Sequence, residues 1–251
     1  MYANATMSRE GLQFLDSIFF ERRSKTVIKG KSWYATQHNP EELAKFEAIA
    51  KRLKTGVYQA FQLWRGTVNQ FRPAIAKWIY TRYTPTSICD FSAGWGGRCL
   101  GAIDMQIPYT GIDSNVGLKE CYDQLLAQRP GKVQMHFQPA ESFDFSTIDY
   151  DMIFTSPPYF MLERYECMPS YASKEEFLTV FFRPVIQRAW EHLKNGGHMC
   201  LNMPESMYTA IEDLLPVLKE RLEMPKQNRF AKTSTKRTFE YIYVWQKKIE
   251  S

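Results

Sequence analysis

The sequence predicts an α/β fold built on a mainly parallel sheet and preceded by a helical amino-terminal layer. Three observations predict it. From residue 87 onward, short apolar runs alternate with segments of helical spacing, the pattern of parallel strands joined by crossover helices. A glycine-rich turn follows the first of these runs. The last run, residues 239–246, reads Phe-Glu-Tyr-Ile-Tyr-Val-Trp-Gln and is rich in the aromatic and β-branched residues that strands favour.

Each element has a local reason. Residues 12–20 form a short apolar stretch, read as one helix. Pro40-Glu41-Glu42 is a good helix start, and residues 43–53 carry apolar side chains at helical spacing. Residues 56–64 continue as another helix. Pro73 opens a segment in which Ile75, Trp78 and Ile79 share one face. Strands follow at 87–91, 109–112, 133–137 and 150–154. A long helix over 174–193 ends at Asn195-Gly196-Gly197, a glycine stop. A fifth strand covers 198–202, a helix 207–222, and a final strand 239–246. Residues 1–70 are read as a basic helical extension and 71–251 as the catalytic domain.

Composition bounds the function. The chain has 251 residues, enough for one substantial α/β domain with an appendage. No apolar run approaches the ~20 residues that span a bilayer, and the amino terminus lacks a basic-then-apolar signal segment. The cysteines at 89, 99, 121, 167 and 200 are scattered with no Cys-x-x-Cys pair, which argues for reduced thiols, a cytoplasmic or nuclear setting and no metal site. Charge is unevenly placed: residues 1–82 carry a net +8, 83–200 a net −5, and 201–251 a net +2. The clearest basic clusters are Arg22, Arg23 and Lys25, then Lys29 and Lys31, then Lys232, Lys236 and Arg237. Such flanks with interleaved aromatics suit a phosphate backbone, although charge runs are also ordinary solvated surface.

Two motifs carry the chemistry. The strand at 150–154 runs into Thr155-Ser156-Pro157-Pro158-Tyr159-Phe160. Two prolines end the strand and stiffen the turn beyond its carboxyl end, the edge at which open α/β sheets bind ligands. A rigid carbonyl beside a stacking ring suits a flat base whose amino group is held still. Upstream, the strand at 87–91 runs into Ser92-Ala93-Gly94-Trp95-Gly96-Gly97-Arg98, a strand–glycine turn–helix arrangement of the dinucleotide type without a Walker lysine. Asp113, about 20 residues on, stands where an acid binds ribose hydroxyls, and is equally placed to cap a turn through Ser114.

Taken in order, these motifs resemble the DNA amino-methyltransferases, which move a methyl group from S-adenosylmethionine to an exocyclic amine of a base. The resemblance covers roughly residues 70 to 248. It implies a Rossmann-like class I methyltransferase fold, a seven-stranded sheet closed by an antiparallel hairpin for which residues 229–246 are the candidate, and S-adenosyl-L-methionine as cofactor. It assigns the cofactor to Asp90, Phe91, Ser92, Ala93, Gly94 and Gly96, with Asp113 and Ser114 at the ribose, Glu141 and Ser142 at the adenine edge, and Thr155 beside the catalytic loop. Arg72 corresponds to a helix-opening segment that contacts the methionine end, or merely precedes a Pro-started amphipathic helix. Ser156, Pro157, Pro158 and Tyr159 are the implied catalytic set. Arg164 lies in a segment, 161–173, that forms either a wall around the base or an ordinary surface loop.

The Ser-Pro-Pro-Tyr form looks like the cytosine-N4 branch, since adenine-N6 enzymes more often carry Asp or Asn at the position of Ser156. The expectation is therefore methylation of cytosine N4 in DNA, the base flipped out or single-stranded. Adenine N6 and RNA bases are the alternatives of like chemistry. A non-catalytic nucleic-acid-binding protein of the same fold is the alternative of another class, and a small-molecule methyltransferase is disfavoured by the basic flanks. No cysteine sits in the Pro-Cys context that ring-carbon methylation uses.

Overall fold

A computed structural model describes Ala5 and residues 8–66, 68–160, 165–167, 169, 171–225 and 239–248. Among the described residues five helices precede the sheet: α1 (Leu12–Ser24), α2 (Trp33–Gln37), α3 (Pro40–Leu53), α4 (Val57–Arg65) and α5 (Pro73–Tyr83). The Asn39 side chain accepts from the amides of Glu41 and Glu42, and Pro40 follows it, so α3 starts where a cap and a preset φ coincide.

The sheet then builds as β1 (Ile88–Asp90), α6 (Gly97–Asp104), β2 (Tyr109–Ile112), α7 (Lys119–Gln128), β3 (Val133–His136) and β4 (Met152–Thr155). Next come two α-helical segments, α8 (Lys174–Glu176) and α9 (Arg183–His192), joined by π-helical Phe177–Phe182. The sequence predicts one uninterrupted helix here. The widened turns immediately precede Pro184, whose missing N–H and bulky ring disturb a regular α-ladder. Strand β5 (His198–Met203) and the short helix α10 (Glu205–Tyr208) follow, then β6 (Glu220–Pro225) and β7 (Phe239–Gln246).

The seven strands lie in the order β3-β2-β1-β4-β5-β7-β6, with β7 antiparallel to both of its neighbours and the other pairs parallel. This is the predicted Rossmann-like sheet with its terminal antiparallel hairpin. Two details differ. The helix expected over 207–222 is replaced by the single turn of α10, further turns and the start of β6. Pro216 denies a helix the amide it needs there, while the edge of β7 offers residues 220–225 a full ladder. The strand paired with β7 is accordingly 220–225, upstream of the expected 229–246, and residues 229–238 of that expectation lie outside the described residues.

Strand side chains alternate between two cores. Ile88, Met152, Phe154, Cys200, Ile242 and Val244 face one layer with α1, α5, α6 and α7. Cys89, Ile153, Met199, Leu201, Tyr243 and Trp245 face the other, with Phe181, Phe182, Val185, Ile186 and Ala189. Leu15 and Phe19 of α1 are fully buried in the first core, so this helix is an integral wall of the sheet. A small separate cluster, Phe46, Ala50, Ala60 and Phe61, holds α3 against α4.

Candidate active site

β1 and β4 are adjacent parallel strands from which the sheet is extended in opposite directions. At such a switch point the loops leaving the two carboxyl ends diverge and open a crevice. The glycine turn leaves β1, Ser156 to Tyr159 leave β4, and Asp113 lies just beyond the end of β2. All three border one cavity of about 1110 Å³, above the roughly 300–1,000 Å³ of a typical single-ligand site.

The glycine turn is held from below by a buried ion pair. Asp90 is fully buried and accepts from Arg98 Nε at 2.7 Å and from the Tyr109 hydroxyl at 2.6 Å. Arg98 Nη2 donates onward to the Ser92 carbonyl at 2.6 Å. Burial works against the Arg98 charge, yet Asp90 and Tyr109 hold the guanidinium above its ordinary range. Burial, reinforced by Asp90, drives the Tyr109 hydroxyl well above its usual value, so Tyr109 stays a donor. Gly94 has φ 57 and nothing nearer than 3.8 Å to a built Cβ, leaving its surface open to the cavity. Gly97 is confined: a Cβ there would lie 2.0 Å from the Phe71 carbonyl oxygen.

Asp113 joins this turn to β2. One carboxylate oxygen accepts from the Gly94 amide at 2.8 Å and the other from the Asn115 amide at 2.9 Å. Burial raises its carboxyl above the usual range, although both amides pull it back. Unused lone pairs remain on both oxygens for a ligand's hydroxyls.

Of the sequence-predicted cofactor residues, Arg72, Phe91, Ser92, Ala93, Gly94, Asp113, Ser114 and Glu141 border the cavity. Four do not. Asp90 is spent on Arg98 and Tyr109. Gly96, at φ 73, packs against Phe19 and Leu15 and turns the chain into α6. Ser142 is exposed and its hydroxyl donates to the Pro139 carbonyl at 3.0 Å. The Thr155 hydroxyl is buried with no hydrogen-bond partner among the described residues. Glu141 accepts from the Tyr171 hydroxyl at 3.1 Å, while Arg188 holds the Glu141 carbonyl at 2.6 Å. Tyr171 and Tyr165, both in the segment expected to be a wall or a surface loop, line the cavity.

Ser156, Pro157, Pro158 and Tyr159 all line it too. Beneath them sits a residue the sequence reading missed, Asn202 on β5, 3% exposed. Its Oδ1 is 3.3 Å from the Ser156 hydroxyl, its backbone carbonyl accepts from the Tyr159 hydroxyl at 3.3 Å, and its Nδ2 donates to the Tyr241 carbonyl at 3.0 Å. The only sequence sign of it is a lone amide inside the apolar strand 199–203. Asp16, Phe20, Tyr58 and Gln62 of the helical layer complete the far wall; surface-helix spacing gives no sign of that role.

The basic clusters need correction in part. Arg23 is 6% exposed; its guanidinium pairs with Asp16 and donates to the Val68 carbonyl at 3.0 Å, so it is a structural strut and not a surface phosphate contact. Arg22 lies 3.9 Å from Glu120, and Lys25 3.6 Å from Glu21 and 4.9 Å from the Tyr34 ring centroid. Lys31 pairs with Glu42, whose carboxyl is held down at about 2 by Lys31 and Lys45. Lys29 is exposed. Arg164, Lys232, Lys236 and Arg237 lie outside the described residues. No helix among the described residues is long and apolar enough to cross a membrane.

Residues 150–251 match the family described as DNA methylase. The match spans less than half of the 251-residue chain and includes Ser156 to Tyr159. A comparison with curated proteins finds no match. Among solved structures, a putative class I S-adenosylmethionine-dependent methyltransferase from Listeria monocytogenes superposes with a TM-score of 0.52 at 14% identity, covering 86% of this chain and 73% of that one. TehB from Haemophilus influenzae gives 0.49 at 14% identity, over 75% of this chain and 66% of that one. A putative RNA methyltransferase from Pyrococcus horikoshii gives 0.47 at 17%, over 70% and 83%. The Listeria similarity establishes a Rossmann-like class I methyltransferase fold.

Proposed function

We propose that this chain transfers a methyl group from S-adenosylmethionine to the exocyclic N4 amine of cytosine in DNA. The observation that carries the reading is the shared cavity: the Ser156–Tyr159 turn faces the same space as Gly94 and Asp113, at the sheet's switch point.

The residues fit the cofactor. Gly94 leaves open surface beside the cavity, and Asp113 has acceptor capacity beyond its two amide bonds, as a ribose diol requires. Glu141 and Tyr171 offer a polar edge for an adenine ring. When bound, S-adenosylmethionine supplies a methyl on a sulfonium, so transfer forms a nitrogen–carbon bond, breaks the sulfur–carbon bond and leaves a neutral thioether.

The protein's task is to make the amine nucleophilic. Its lone pair is delocalised into the base ring. The Ser156 hydroxyl and the Pro157 carbonyl accept the two amino hydrogens, favour a tetrahedral nitrogen and aim its lone pair. Tyr159, its hydroxyl tethered to Asn202, presents a ring of fixed plane against which the base stacks. Ser156 is no base, so the surplus proton of the methylated amine leaves to water. That suits cytosine, and a carboxylate in the place of Ser156 is not required. The base is reached by flipping or in a single strand. Lys29, Lys232, Lys236, Arg237 and Arg164 are the proposed contacts to the strand.

The test is methyl incorporation from radiolabelled S-adenosylmethionine into unmethylated genomic DNA by the intact chain and by Ser156→Ala and Tyr159→Ala. Both variants bind cofactor within about twofold of the parent and lose methyl transfer by roughly 100-fold or more. Full activity in both would overturn the assignment.

A further inference from the structure

We infer that Asn202 is a positioning residue that fixes the hydrogen-bonding polarity of Ser156 and the plane of Tyr159. The inference rests on the reading of the Ser156–Tyr159 turn given above and explains how a hydroxyl, which can donate or accept, is made to accept.

The argument starts at the far end of the chain of contacts. The Tyr241 carbonyl on β7 is an acceptor only, and it lies 3.0 Å from Asn202 Nδ2. The opposite rotamer of the amide would set two oxygens against each other, so Tyr241 determines which way the carboxamide points. Tyr241 is held in turn by the antiparallel ladder, where it pairs with Met203. With Nδ2 turned to β7, Oδ1 faces the catalytic turn, 3.3 Å from Ser156 Oγ and 3.5 Å from the Tyr159 hydroxyl. Oδ1 has no proton to give, so the Ser156 hydrogen points down into it. The serine lone pairs are thereby left facing the cavity.

Tyr159 is treated in the same way. Its hydroxyl donates to the Asn202 backbone carbonyl at 3.3 Å. In the inferred arrangement this bond is the one formed, so the proton is turned away from Ser156 Oγ, 3.4 Å distant, and leaves the serine lone pairs free. One buried residue thus supplies two acceptors and absorbs both hydroxyl protons of the turn. In a bulk-like setting a serine hydroxyl divides its time between donating and accepting; here the donor role is satisfied inside the protein before a base arrives, which is preorganisation of the acceptor. Asn202 borders the cavity yet is only 3% exposed, which limits the water that can compete for its side chain.

The experiment is a double-mutant cycle on the full chain, read as single-turnover methyl incorporation into unmethylated genomic DNA with the dissociation constant for S-adenosylmethionine measured alongside. Asn202→Ala and the volume-filling Asn202→Leu are combined with Ser156→Ala. Each Asn202 variant is expected to bind cofactor within about threefold of the parent and to lose roughly 10–100-fold in the single-turnover rate. In the Ser156→Ala background the same substitutions are expected to cost under about threefold, because there is no serine proton left to orient. Two variants of different volume separate the hydrogen bond from the packing: a loss confined to Asn202→Ala, or equal losses in both serine backgrounds, would overturn the inference while leaving the proposed function intact. An intact chain that binds cofactor and methylates no nucleic acid would overturn the proposed function itself, and the inference with it.

Discussion

The Asp113 carboxylate accepts a hydrogen bond from the Gly94 amide at 2.8 Å, which makes the end of β2 and the turn after β1 one wall of the cavity. The same carboxylate is the proposed ribose acceptor, so its ionisation is coupled to cofactor binding. Asp113→Ala is expected to weaken S-adenosylmethionine binding about 10–100-fold, the scale of losing hydrogen bonds to a charged group, as measured by isothermal titration.

The pH dependence follows from the direction of the shift. Burial raises the Asp113 carboxyl, so on acidification it takes up its proton at a higher pH than an ordinary aspartate. Cofactor affinity is expected to be flat at neutral pH and above, and to fall as pH drops through that raised value. Asp113→Asn should give a weaker but flatter profile over the same range. Parallel profiles for the two proteins would contradict the coupling.

The pair Asp90–Arg98 is expected to dominate the stability of the turn. Arg98→Ala leaves the Asp90 carboxylate buried without its cation, a change of the kind that costs about 3–5 kcal/mol, to be read by urea denaturation. A loss below about 1 kcal/mol would mean the site relaxes and admits water. Cofactor binding should weaken in parallel, because Arg98 also holds the Ser92 carbonyl.

Two glycines of the turn should respond differently to alanine. At Gly97 the new methyl meets the Phe71 carbonyl oxygen at 2.0 Å, so the segment leading into α5 must move, and overpacking of this kind costs about 1–3 kcal/mol. At Gly94 space is open but φ is 57, and left-handed backbone costs about 1–2 kcal/mol. Thermal denaturation should show both losses. Cofactor binding should suffer at Gly94→Ala beyond its loss of stability, since the methyl projects from a surface the ligand approaches.

Salt dependence should separate phosphate contacts from struts. Replacing Lys232, Lys236 and Arg237 together by alanine is expected to weaken DNA binding and to reduce the slope of log affinity against log salt by up to about 3. Arg23→Ala is expected to lower stability instead, because its guanidinium is engaged with Asp16 and Val68. Fluorescence anisotropy across a salt series distinguishes the two.

Much of this architecture was legible in the chain because its strands are short, apolar and punctuated. Strands 109–112 and 239–246 carry the predicted bounds, the first fixed by Pro108 on one side and the Asp113 turn on the other. The helix expected over 207–222 does not form because Pro216 interrupts its apolar spacing, and because an edge strand gains its reason only from a partner more than a dozen residues away. The placement of Asp113 and Ser156 just past strand ends, where they border the cavity, is legible from position. Asn202 was not: a single amide in a buried strand has no periodic signature, and its role depends on β4 and β7 flanking β5. Arg23 misled for the converse reason, since a basic run looks the same whether its acids are nearby in space or absent.

The measurement that bears most directly on the central claim is mass spectrometry of nucleosides from DNA incubated with the full chain and S-adenosylmethionine, with RNA in parallel. N4-methylcytosine in the DNA is the predicted product. N6-methyladenine would keep the site and contradict the role given to Ser156, and no methylated base in either polymer despite cofactor binding would contradict the function itself.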